Sequence, residues 1–87
     1  MNVVPAGCDL RLVADELREM MLKKKMEAQE QGGQFCYPVE FVTRVEAFLD
    51  NPSREAALRL LLVAPKLRSF FHACSPGGAL YTLKRTG

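Results

Sequence analysis

An 87-residue chain of 9.7 kDa, 48% hydrophobic and 25% charged with a net charge of +2, has the material for one core and not for two. Its length excludes a (β/α)₈ barrel enzyme, and its apolar content, with 6 glycines and 5 prolines, excludes disordered, collagen-like and low-complexity chains. The small net charge conceals a split: residues 1–55 carry 7 basic and 10 acidic side chains, whereas residues 56–87 carry Arg59, Lys66, Arg68, Lys84 and Arg85 and no acid.

Residues 1–8 read as an irregular lead-in to a single helical domain spanning 1–87. Asp9 suits an N-cap, because its carboxylate can accept a hydrogen bond from a first-turn N–H that has no partner within the helix. Leu10, Val13, Leu17, Met20 and Met21 then recur at intervals of three and four, the period of one helix face. Asp15, Glu16 and Glu19 precede Lys23, Lys24 and Lys25, the order that a helix dipole favours. Gly32-Gly33 ends this helix, since glycine enters the left-handed conformation at a helix C-terminus without a Cβ clash.

Pro38 opens a second helix at its first position, with Phe41, Val42, Val45, Phe48 and Leu49 as the apolar stripe and Glu40 paired to Arg44 on the other face. Asp50-Asn51-Pro52-Ser53 closes it and caps a third helix, Arg54 to Ala64, whose nearly continuous apolar surface belongs at the centre of a bundle. Pro65 kinks or restarts the chain, because it lacks an N–H and its ring clashes with the preceding turn. Leu67, Phe70, Phe71 and Cys74 make the inner face of a fourth helix, and Ser75-Pro76-Gly77-Gly78 stops it. Residues 79–87 read as a short strand or extended tail. The expected fold class is therefore all-α, a small three- to four-helix bundle broken at Pro65 and ending in an extended or β C-terminal tail.

The longest apolar run, Leu60 to Pro65, is far short of the roughly twenty residues that cross a bilayer. No basic, then apolar, leader precedes Asp9 and Arg11, and three cysteines spaced 28 and 38 apart do not make a disulfide framework. The expected compartment is the cytoplasm, or the nucleus of a host that has one.

Cys8, Cys36, His72 and Cys74 form a ligand set chemically suited to zinc, but the only close pair is His72-Ala73-Cys74 and no tight Cys-x₂₋₄-Cys turn exists. No cysteine sits in a nucleophile motif with His72, the carboxylates of the first helix lie on a solvated face, and neither glycine pair has the flanks of a phosphate loop. The sequence thus favours no enzyme activity, no metal, no cofactor, no small-molecule substrate and no membrane.

Two binding readings remain. A nucleic-acid regulator would use Arg59, Lys66, Arg68, Tyr81, Lys84 and Arg85 in a winged-helix-like C-terminal region. Five cations neutralise few phosphates, however, and the third helix is too apolar to enter a groove. A protein-interaction module would use Leu12, Met20, Met21, Leu22 and Met26, which spread apolar surface beyond one stripe. Methionine is adaptable at partner surfaces, although it also fills irregular cores. The favoured expectation is the second: an adaptor, inhibitor or regulatory subunit that binds another protein or a second copy through helix 1, oriented by the basic C-terminal third.

Overall fold

The computed structural model describes residues 4–33 and 37–86, with side chains through Lys84 in the second stretch. It contains α1 (Leu10–Glu30), α2 (Val39–Asp50), α3 (Arg54–Val63), a 3₁₀ turn (Pro65–Leu67), α4 (Arg68–Ala73) and α5 (Ala79–Thr86), with no strand among the described residues.

Local chemistry accounts for most of these boundaries. Asp9 Oδ1 accepts from the Leu12 N–H at 3.1 Å, and Ser53 Oγ accepts from the Ala56 N–H at 3.2 Å, so two helix starts are capped by side chains. At the far end of α1 the Gly33 N–H donates to Ala28 O at 2.9 Å and the Gly32 N–H to Gln29 O at 3.1 Å. This paired closure requires a left-handed residue, which Gly32 supplies with φ of 72°. Pro38 stands at the N-cap of α2, one residue ahead of the helix. Ala64, which precedes Pro65, is extended at φ −138° and ψ 67°, so α3 ends there and the 3₁₀ turn leads into α4.

The expected extended or β tail is instead α5. Gly78 begins it, with the Thr82 N–H donating to Gly78 O at 3.0 Å, and Leu80 packs on the core from one side of the helix. The β preference of Tyr81 and Thr82 is weaker than the reward for burying Leu80 on a helical turn beside α4.

The core lies between the first half of α1, α2, α3 and α4. Phe48 and Phe71 meet edge to face with ring centroids 5.9 Å apart, surrounded by Val13, Leu17, Val45, Leu60 and Leu61. α2 and α3 pack most closely, and Arg44, paired with Glu40 of its own helix at 2.8 Å, ties them by donating to Arg59 O at 2.7 Å. The lead-in contributes as well. Val4 is fully buried, its carbonyl accepts from Arg54 at 2.7 Å, and the Asp9 N–H donates to Cys74 O at 2.9 Å.

The corner between α4 and α5 is closed by Ser75, whose buried hydroxyl donates to Phe71 O at 2.6 Å. A Cβ on Gly78 would be driven into the carbonyl oxygens of His72 and Ala73, and those atoms are backbone that cannot swing aside. Gly78→Ala is therefore expected to lower stability by about 1–3 kcal/mol in urea unfolding. Gly33→Ala, whose added methyl would meet only Ala28 O at ordinary contact distance, should change stability by about 0.5 kcal/mol or less.

Candidate functional site

Helix α1 outruns the core. Val13, Ala14 and Leu17 are buried, Met20 and Met21 are half-buried, and residues 22–26 are all exposed. Lys24, seven residues after Leu17 on the same face, marks where the inner row turns polar. The eight-residue connection then returns the chain as α2 beside this half of α1.

Two apolar grooves flank α2 as a result. The first, about 250 Å³, has Met21, Val42, Val45 and Leu49 as its floor and Leu22, Arg18, Lys25 and Glu46 along its edges. Leu22 is 58% exposed, and Val39, on the same side of α2 as Val42 and Glu46, is 80% exposed. The second groove, about 400 Å³, lies where Met20 of α1 faces Phe41 and the α3–3₁₀ junction, and is lined by Val63, Ala64, Pro65, Lys66 and Leu67. Tyr37 stacks on Phe41 at its mouth with centroids 5.3 Å apart.

The five helix-1 residues expected at a partner surface therefore have different surroundings. Met21 and Leu22 share the first groove, and Met20 lines the second. Leu12 packs against the core, near Glu16 and Lys84. Met26 is exposed beyond both grooves, one turn past Leu22. Sequence reasoning assigned Val42 and Leu49 to the core stripe and passed over Val39 and Tyr37. The signal was present in the spacing of Val39, Val42, Glu46 and Leu49, a second row on α2 rotated from the core row of Phe41, Val45 and Phe48.

The basic residues expected to meet nucleic acid are dispersed. Arg59 pairs with Glu55 at 2.6 Å on α3 beside α2, Lys66 lines the second groove, and Lys84 on α5 lies 3.7 Å from Glu16 on α1. Arg68 is exposed and Tyr81 half-buried, each on a different helix. The Arg85 side chain lies outside the described residues, and so does Cys36. With α5 helical, no strand among the described residues provides a wing.

Cys8 and Cys74, two of the four residues chemically suited to zinc, are occupied in packing. Cys8 Sγ donates to Phe71 O at 3.3 Å, Cys74 is buried in the core and His72 is exposed. Among the described residues no three His, Cys, Asp or Glu side chains are grouped to hold a metal. Comparison of the chain with known protein families, characterised proteins and solved structures yields no match. The geometry of its own residues is therefore what bears on function.

Burial pushes the Cys74 thiol up to about 11 from 9.0 and raises that of Cys8 as well, the direction opposite to that of an activated nucleophile. The unfolded chain releases the Cys74 proton first, so the stability linked to this thiol is complete below pH 9 and falls away as pH rises to about 11. Unfolding free energy measured across that interval should decline, and Cys74→Ala should show a shallower decline than the native chain.

Proposed function

We propose that this chain is a small non-enzymatic protein-interaction module, acting as an adaptor, inhibitor or regulatory subunit, and that the groove between α1 and α2 is its binding face. The observation that carries this reading is the contiguous apolar floor of Met21, Val42, Val45 and Leu49 with Leu22 standing exposed beside it. An apolar strip of this kind, edged by charge and set between two helices, suits the apolar face of another helix.

Three further features support it. The second groove, on the other side of α2, adds Met20, Tyr37 and Phe41 to the apolar surface within reach of one partner, and Lys66 on its rim provides a charged register. The two buried or half-buried thiols are drawn toward the protonated form, and neither is paired with His72. The dispersal of Arg59, Lys66 and Lys84, two of them in ion pairs with acids of the same chain, favours protein over nucleic acid as the partner.

The test is site-specific capture. A photo-crosslinking amino acid placed at Leu22 or Val39, in cells that express the chain, should yield a discrete adduct. The same group at Ala79, exposed on α5 and outside both grooves, should yield none. Absence of any adduct from the groove positions, or the same adducts from Ala79, would contradict the reading.

A further inference from the structure

We propose that Cys8 and Cys74 are a redox pair: an oxidant closes a disulfide between them that fastens the lead-in to the end of α4, and a reductant restores the two free thiols. Neither cysteine lines an apolar groove beside α2, so the pair acts separately from whatever binds there.

The backbone sets the span. The Asp9 N–H donates to Cys74 O at 2.9 Å. In a trans peptide that N–H lies on the same side as the Cα of the preceding residue, here Cys8. A hydrogen bond of this length therefore holds the Cα atoms of Cys8 and Cys74 no more than about 6–7 Å apart. Disulfides join Cα atoms about 4.4–6.8 Å apart, so the pair stands within range with the helices where they are.

The side chains meet at the same end of α4. Cys8 Sγ donates to Phe71 O at 3.3 Å, and Cys74 is the C-cap of that helix. A helical carbonyl points along the axis toward the residues three and four positions on, here Cys74 and Ser75. Ser75 Oγ donates to the same oxygen, so the Phe71 carbonyl keeps a partner when the Cys8 sulfur turns to Cys74. The two thiols also sense each other, since charge on Cys8 disfavours charge on Cys74.

A small organic disulfide such as oxidised glutathione supplies the oxidant. The thiolate of Cys8, half-buried where Cys74 is fully buried, attacks one of its sulfurs and displaces a glutathione thiolate. The Cys74 thiolate then attacks Cys8 Sγ and displaces the second. The protein pair loses two electrons, the small disulfide gains them, and the two thiol protons end on the released glutathione. Burial keeps both protein thiols protonated, so exchange is slow near neutral pH and quickens as pH rises. The pair thus answers a sustained change in redox poise.

The folded native chain, incubated with oxidised glutathione at mildly alkaline pH, should lose the mass of two hydrogen atoms, and peptide mapping should find Cys8 joined to Cys74. The urea midpoint should rise by about 1 M or more, because the bond restrains the unfolded chain over a long loop, and dithiothreitol should reverse the rise. The same treatment in concentrated urea should favour bonds to Cys36, which lies 28 and 38 residues from the other two cysteines, since shorter loops close more readily. Cys36→Ser should leave the folded-state product unchanged. Thiols that stay free, carry only glutathione or pair with Cys36 in the folded chain would overturn the inference. So would a Cys8–Cys74 bond that fails to raise the urea midpoint, or products that are the same with and without urea.

Discussion

The structure depends on a mismatch of lengths. α1 has 21 residues, whereas α2 has 12 and α3 has 10. At about 1.5 Å per residue, α1 extends well beyond anything that can pack along it. Its first half is buried where Val13, Ala14 and Leu17 join Val45, Phe48 and Phe71 in the core, whereas the second half has α2 beside it and is half-covered at Met20 and Met21. From Met20 onward, α1 presents an apolar edge with too little protein to cover it. A chain of this size has no spare element to lay across the gap. The open grooves beside α2 are a consequence of that geometry.

The opposite side of the molecule is tied by specific hydrogen bonds. The lead-in is drawn in by Val4 and held by Arg54, and Cys8 and Ser75 converge on the same Phe71 carbonyl. Gly78, lacking a Cβ, lets α5 start directly against the carbonyls of His72 and Ala73. Lys84 then reaches Glu16, so part of the charge split along the chain is absorbed as contact between its basic end and its acidic first helix. The apolar side chains left exposed include Leu22, Met26 and Val39 on α1 and α2, Leu62 on α3 and Leu83 on α5.

Several helix starts were legible because each is set by chemistry within four residues: Asp9 before α1, Ser53 before α3, Pro65 as the first residue of the 3₁₀ turn. The end of α1 was legible for the same reason at Gly32. The form of residues 79–86 was not, because eight residues carry too little periodic signal to outweigh the β-prone Tyr81-Thr82 pair, and the helix is decided by Leu80 finding the core. The burial of Val4 was equally hidden, since nothing local marks a lead-in residue that a distant arginine, Arg54, will hold. The site itself was half visible. Helical spacing gives the angle at which Leu22 or Met26 points, but it does not say where along α1 the neighbouring helices stop. That distance is what separates Leu17, fully buried, from Leu22, 58% exposed.

Amide hydrogen exchange along α1 tests most directly whether the second half of this helix is left uncovered by the rest of the chain. Residues 13–17 should be protected, because Val13, Ala14 and Leu17 are packed in the core. Residues 22–26, all exposed, should exchange much faster. Protection of residues 22–26 equal to that of residues 13–17 would contradict this reading of α1.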